Sequence, residues 1–238
     1  MAACATPKLP VQSSGDALTC AWAEAFSAKG ASAVGPWEHY ILPAKQATLF
    51  SGQHVQGRHA VKADAQASAS MLRRKLRIEA KDLGTVRFSW LVESLIADAD
   101  MAERETDDSP VRIVLAFEGD RSQFSARNAM LSELAHALTG EPMPYATLMY
   151  SWCQRCEGGQ VIVNPRTDRI RTQVVEVGTG HLGQWRDYER DIRADFSAVF
   201  GEPPGALVAI GVMTDADNTR SHATAWYGPI ELAAKVAQ

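Results

Sequence analysis

Between residues 37 and 232 the chain consists of short segments in which apolar and polar residues alternate, separated by Gly and Pro. Alternation with a period of two predicts β-strands with one face in a core and the other towards solvent or a groove. The segment at 111–117 is almost continuously apolar, which predicts a central strand. The predicted strands lie at 37–42, 47–50, 59–64, 68–78, 84–93, 111–117, 147–152, 160–163, 170–177, 205–213 and in the aromatic segment that ends at 232.

Three segments instead repeat apolar residues every three or four positions, which is typical of one face of an amphipathic helix. They cover residues 16–28, 124–138 and 187–200, and Gly140 and Gly201 follow the last two as stop signals. The absence of a regular alternation of strands with helices disfavours a doubly wound sheet. We therefore predict a mainly β fold, a two-sheet β-sandwich that is jelly-roll-like, with two or three peripheral helices.

The chain of 238 residues is long enough for one domain with a full core. Residues 1–15 are rich in Pro, Ser and Gly, which predicts a flexible tether. Residues 16–36 are predicted to form a helix that packs on the domain, with Leu18, Trp22 and Phe26 on one face. Residues 37–238 are predicted to form a single β-sandwich domain.

The net charge of −4 and the pI of about 5.9 argue against nucleic acid as a partner, because phosphate binding needs a basic face. The sequence contains no run of roughly 18 apolar residues, so it predicts no transmembrane segment. Cys4 follows two alanines, as at the end of a bacterial lipoprotein signal, so it is a candidate for lipidation. The other interpretation is a chance match in an alanine-rich leader. The lipoprotein interpretation predicts a periplasmic or cell-envelope location with a lipid anchor.

An acidic turn follows the apolar strand at 205–213. Asp215, Asp217 and Asn218 offer hard oxygen ligands, and the sequence therefore suggests a possible Ca²⁺ site. The alternative is an Asx-type turn in which these side chains cap nearby backbone amides. We expect the turn to be ordered, partly buried and one wall of the main pocket. Its charge would be compensated by a cation, or by Arg112 or Arg220.

Two further carboxylates, Asp107 and Asp108, precede the strand at 111–117. Together with Asp215 and Asp217 they lie at predicted strand ends, where a sandwich clusters its loops. Paired carboxylates with separated pKa values can carry out glycoside chemistry, so these four are the candidate catalytic residues. The alternative for the first pair is an ordinary solvated acidic loop.

Aromatic and arginine side chains on predicted strands suggest a ligand-binding groove, since aromatic faces and planar polar groups suit sugars and small polar ligands. The alternative is that most of these aromatic residues belong to the core. The candidate ligand-binding residues are Arg74, Trp90, Arg112, Tyr150, Trp152, Trp226 and Tyr227.

Cys153 and Cys156 are separated by two residues and followed by Glu157, Gly158 and Gly159. A thioredoxin-like site would need a helix after the first cysteine, and a zinc site would need two more ligands. A disulfide that closes a β-turn is the favoured interpretation in an exported protein.

Several short motifs resemble the bacterial family catalogued as domain of unknown function 3047, over roughly residues 37–230. The resemblance implies an exported, mostly β protein similar in outline to sugar-binding jelly-roll modules, and it implies no catalytic residues. The motifs are Ser68-Ala69-Ser70, the Trp90 strand, Asp107-Asp108, Asn164-Pro165, Trp185, Phe200-Gly201, the run 213–219 and Tyr227-Gly228.

The sequence thus favours an exported ligand-binding β-sandwich, with a carbohydrate or a similar polar small molecule as its ligand. One alternative is a lyase or hydrolase that uses the loop carboxylates on a polysaccharide-type substrate. A second alternative is a structural envelope lipoprotein without a small ligand.

Overall fold

The computed structural model of the protein describes residues 37–234. The predicted tether at 1–15, the predicted helix at 16–36 and Cys4 lie outside these residues. The described part contains two β-sheets and two α-helices, so the predicted mainly β sandwich is confirmed. Neither helix combines the length and apolar character needed to cross a membrane.

The first sheet has seven strands and is antiparallel except for one parallel pair, Ala146–Cys153 with Ile170–Val177. Its central strands, Leu207–Asp215 and Ser109–Phe117, are paired so that Asp215 lies opposite Ser109. In spatial order the strands are β1 (Glu38–Ile41), β4 (Ala69–Ile78), β11 (Leu207–Asp215), β6 (Ser109–Phe117), β7 (Ala146–Cys153), β9 (Ile170–Val177) and β8 (Val161–Val163).

The second sheet has six antiparallel strands. A 3₁₀ turn at Ala80–Asp82 carries the chain from β4 in the first sheet to strand Leu83–Val92 in the second. The spatial order is β10 (Arg186–Asp191), β5 (Leu83–Val92), β12 (His222–Tyr227), β3 (Arg58–Gln66) and β2 (Leu49–Val55), with β13 (Glu231–Ala234) also paired to β5.

The core lies between the sheets and is filled by alternate residues of the strands. On β6, Ile113, Leu115 and Phe117 point into it and are fully buried. All nine residues of β6 are buried, those on its outer face as well as those that point into the core. This double burial accounts for the nearly continuous apolar segment that predicted a central strand.

Helix α1 spans Ala126–Thr139, between a Ser125 cap whose hydroxyl accepts from the Asn128 amide and a left-handed Gly140. Its orientation differs from the expected one, in which the apolar residues would pack inwards. Met130, Leu134 and Leu138 are 63%, 52% and 61% exposed, whereas polar residues of the helix are buried. The helix is held by polar contacts, among them a hydrogen bond from Asn128 Nδ2 to Asp168 (2.7 Å).

Helix α2 spans Ile192–Phe200, and Asp191 caps it by accepting from the Ala194 amide at 2.9 Å. Phe196 packs in the core against Phe117, with ring centroids 4.6 Å apart. The predicted helix at 187–200 was too long at its start. Residues 186–191 form strand β10 instead, because pairing with β5 satisfies their backbone groups and overrides the helical spacing of the side chains.

Candidate ligand-binding groove and acidic cluster

An open groove lies on the outer face of the seven-stranded sheet, the face turned away from the second sheet. Its volume is about 670 Å³, within the range of about 300–1,000 Å³ that is typical of small-molecule sites. The groove exists because successive side chains of a strand point to opposite faces. On β6, Ile113 and Leu115 fill the core, while Arg112, Val114 and Ala116 face the groove.

The floor of the groove is mainly aliphatic and thioether in character. Four neighbouring strands contribute small or unbranched side chains, which leave space above the sheet. These residues are Ala69 and Met71 of β4, Ala209, Gly211 and Met213 of β11, Val114 and Ala116 of β6, and Thr147 and Met149 of β7.

Helix α1 and the segment after it form one wall of the groove. Leu131 and Ala135 of the helix face the groove, and Glu141 accepts two hydrogen bonds from Arg73 of β4, at 2.8 and 3.1 Å. Arg73 also stacks on the ring of Tyr40, with the guanidinium carbon 4.1 Å from the ring centroid. These contacts tie β1, β4 and the end of α1 together at one end of the groove.

Four aspartates meet at the other end. Asp107 and Asp108 directly precede β6, Asp215 ends β11, and Asp217 follows in the turn. The antiparallel pairing of β6 with β11 brings the start of the first strand beside the end of the second. Residues that are more than 100 positions apart in sequence therefore form one acidic cluster, defined here as these four residues.

Asp108 holds the turn after β11 in place. Its carboxylate accepts from the Asn218 amide at 3.2 Å, the Thr219 amide at 2.7 Å and the Thr219 hydroxyl at 2.6 Å. Backbone amides of the turn are thus capped by a carboxylate, as the Asx-type interpretation predicted. The carboxylate comes from the loop before β6, however, and not from the turn itself. Asn218 itself donates its side-chain amide to the Asp107 carbonyl at 3.0 Å.

Arg112 is the buried cation of the cluster, with only 3% of the residue exposed. Its Nη2 atom donates to Asp107 Oδ1 at 2.8 Å and to the Asp107 carbonyl at 3.1 Å, and it lies 3.7 Å from Asp215 Oδ2. Asp107 also accepts from Asn164 Nδ2 at 2.9 Å. The structure therefore places the first predicted partner, Arg112, at the acidic turn, whereas Arg220 is exposed.

Asp215 is 7% exposed, and Asp217 contacts the ammonium group of Lys45 through Oδ2. Burial raises the pKa of Asp215 well above 3.8; Arg112 opposes this rise, and Asp108 and Asp217 add to it. The Oδ1 atoms of Asp215 and Asp217 are buried and have no hydrogen-bond partner in the described part of the chain. One oxygen each from Asp108, Asp215 and Asp217 lie within 4.8 Å of one another.

The predicted aromatic binding surface is not formed. Trp90, Tyr150, Trp152 and Tyr227 are at most 1% exposed and lie in the core between the sheets. Trp226 packs on the outer face of the second sheet and is 7% exposed. Burying these large rings between the sheets excludes far more apolar surface from water than a groove position would.

Arg74 was also predicted to bind ligand, but its neighbour Arg73 lines the groove. A shift of one residue along a strand moves a side chain to the opposite face of the sheet. Of the seven predicted ligand-binding residues, only Arg112 is among those that line the groove. Sequence reasoning missed Lys45, Met149 and Glu141, because loop and strand positions far apart in sequence carry no common motif.

Cys153 and Cys156 form a disulfide at the end of β7, with their Cα atoms 5.6 Å apart.

A polar cluster lies on the neighbouring strand around Glu176, which contacts Tyr188 Oη at 2.5 Å, Arg186 Nε at 2.9 Å and His181 Nδ1 at 3.0 Å. Burial by itself would raise the pKa of Glu176, but these hydrogen bonds outweigh it and hold the pKa below 4.5.

Residues 35–231 match the sequence model of one family, described as a protein of unknown function (DUF3047). The chain belongs to the DUF3047 family. This DUF3047 protein matches none of the curated proteins.

Solved structures with a similar strand arrangement include the endo-1,4-β-glucanase CelB2, with 7% identity, a TM-score of 0.49, and coverage of 90% of this chain and 99% of that one. Another is a family 11 carbohydrate-binding module from Clostridium thermocellum in complex with a mixed-linked tetrasaccharide, with 11% identity, a TM-score of 0.41, and coverage of 88% and 94%. A third is the xyloglucanase domain of NopAA from Sinorhizobium fredii, with 7% identity, a TM-score of 0.45, and coverage of 88% and 97%.

Proposed function

We propose that this DUF3047 protein is a ligand-binding β-sandwich that takes a carbohydrate or a similar polar small molecule in the outer groove. One observation carries the proposal: a single groove joins an aliphatic floor to buried charged groups at its acidic end. A sugar ring has C–H faces and hydroxyl edges. The floor removes the C–H face from water, and the carboxylates accept charge-assisted hydrogen bonds from the hydroxyl groups.

The charged groups at the acidic end supply directional contacts. Asp215 and Asp217 both line the groove and place their carboxylates at its acidic end. Tyr40 is the aromatic side chain among the lining residues, and Arg73 already covers its ring. Recognition therefore depends on hydrogen bonds and the aliphatic floor rather than on ring stacking.

Calorimetric titration, guided by a screen of glycans and polar small molecules for a rise in melting temperature, tests the proposal. Ala116→Trp places a large ring in the groove, and we expect it to weaken binding at least tenfold. Ala129→Trp on the exposed side of α1 is the matched control and should bind as the wild type does. Equal affinity of both variants would contradict the groove as the site. A screen without any ligand would instead favour the structural lipoprotein.

The lyase or hydrolase alternative finds less support in the geometry. Glycosidases need one carboxyl group that gives up its proton and a second that acts as base or nucleophile. Asp108 already accepts three hydrogen bonds from the turn, and Asp107 accepts from Arg112 and Asn164. These contacts favour a structural role for both groups over a role in acid–base chemistry. Release of reducing ends from bound polysaccharide would reverse this preference.

We also propose export to the periplasm or cell envelope, with a lipid anchor at Cys4. The Cys153–Cys156 pairing supports export, because disulfides persist in oxidising compartments. Cell fractionation of the wild type and of Cys4→Ser tests both parts. We expect the wild type in the membrane fraction and the variant in a soluble periplasmic fraction. Recovery of the wild type from the cytosol would contradict export.

A further inference from the structure

The carboxylates of Asp108, Asp215 and Asp217 converge at the acidic end of the groove, with one oxygen of each within 4.8 Å of the others. Like charges at this distance repel one another strongly in a partly buried site, and the repulsion must be compensated by cations or hydrogen bonds. The hydrogen-bond and ion-pair partners of these three carboxylates therefore show whether the surrounding residues compensate their charge.

In the part of the chain that the structure describes, cationic side chains lie near the Oδ2 atoms of Asp215 and Asp217 but make no hydrogen bond to their Oδ1 atoms. Arg112 lies on the Oδ2 side of Asp215, at 3.7 Å, and makes its short hydrogen bond to Asp107 instead. Lys45 contacts Asp217 through Oδ2. The other oxygens of Asp215 and Asp217 are buried without a hydrogen-bond partner among residues 37–234, and Asp215 is 93% buried, being 7% exposed. Buried acceptors without donors are rare, because each carries the full cost of lost hydration.

We propose that Asp108, Asp215 and Asp217 bind a divalent metal ion, and that the ion is calcium. The ligand atoms are all carboxylate oxygens, which are hard donors and favour calcium, magnesium or manganese over zinc. Calcium fits best because it tolerates irregular arrangements of six to eight oxygens, whereas magnesium demands near-octahedral geometry. Asp215 and Asp217 line the open groove, so water can supply the remaining ligands.

Lys45 is a built-in competitor for this site. Its side chain is 31% exposed, and its ammonium group contacts the carboxylate of Asp217 that the ion would use. Binding of calcium would weaken this contact and let the lysine turn into solvent. The site would also connect the loop before β6 to the turn after β11, so an ion should stabilise the folded chain.

The test uses the full chain after treatment with chelator and needs no groove ligand, so its result is independent of the proposed function. Calcium should raise the melting temperature in a saturable way, with a Kd by calorimetry on the order of 10⁻⁴–10⁻³ M. Magnesium should bind more weakly, and zinc should have no specific effect. The proposal would be overturned if the melting temperature stayed unchanged and no binding heat appeared at a calcium concentration about tenfold above the upper Kd of about 10⁻³ M.

Two variants should move calcium affinity in opposite directions. Asp215→Asn keeps the shape of the side chain but removes its charge, and should weaken calcium binding at least tenfold. Lys45→Met removes the competing ammonium group at a partly exposed position and should tighten binding several-fold. Asp187→Asn is the control, since this carboxylate is 65% exposed and lies in an ion pair with Arg58 outside the cluster. Unchanged affinity in Lys45→Met, or an equal loss in Asp187→Asn, would refute the assignment.

Discussion

Replacing Arg112 by Met should destabilise the protein strongly, because the guanidinium is the only buried cation that contacts the acidic cluster in the described part of the chain. Its side chain is 4% exposed and that of Asp107 is 7% exposed. Removing one partner of a buried ion pair leaves the other charge without compensation, which costs about 3–5 kcal/mol. Met preserves most of the volume, and Met149 already lies 3.9 Å from the guanidinium. The loss should therefore reflect charge rather than packing.

The assay is urea unfolding at pH 7 in the presence of chelator, so that metal binding does not mask the effect. We expect a lower midpoint with an unchanged slope, which indicates reduced stability rather than an altered denatured state. Arg166→Met is the matched control, because Arg166 contacts the same Asp107 carboxylate at 3.6 Å but its side chain is 39% exposed. An exposed ion pair contributes only about 0–1 kcal/mol.

A double variant separates the ion pair from other effects. If Arg112→Met acts by leaving Asp107 unpaired, adding Asp107→Asn should cost less than it does in the wild-type background. A loss below about 1 kcal/mol for Arg112→Met, similar to that of Arg166→Met, would refute the reasoning. Strict additivity in the double variant would refute it too, because residues in direct contact should show an interaction energy.

Three further predictions concern the rest of the molecule. Phe117→Ala removes a fully buried ring and should cost roughly 3–5 kcal/mol in thermal or urea unfolding; a loss under about 1 kcal/mol would contradict its core position. Thiol counting on unfolded, unreduced Cys4→Ser protein should find one of its three cysteines reactive, since Cys153 and Cys156 are paired, and three reactive thiols would contradict the pairing. The pKa of Glu176 is lower in the folded than in the unfolded chain. Its contribution to the free energy of unfolding is therefore complete above about pH 4.5 and is lost as pH falls. The stability difference between wild type and Glu176→Gln should therefore shrink in acid, and a difference independent of pH would refute the network.

The alternation of apolar and polar residues was sufficient to predict a two-sheet sandwich and a central strand at 111–117. Those features depend on local periodicity, which is written directly into the sequence. The helix ends at Gly140 and Gly201 were predictable for the same reason, since left-handed backbone at a helix end favours glycine. The acidic turn could be singled out because its oxygen-bearing residues are close together in sequence.

Tertiary structure alone decided which side of each strand became the groove. Arg73 rather than Arg74 faces it, and Tyr150 with its aromatic neighbours went to the core, although the pattern of each strand allowed both orientations. Strand β10 formed where the side-chain spacing indicated a helix. Its partner β5 is about 100 residues away, and the local spacing of side chains carries no information about pairing with so distant a strand. The acidic cluster arose in the same way: antiparallel pairing of β6 with β11 joined two loops whose separation in sequence concealed their contact.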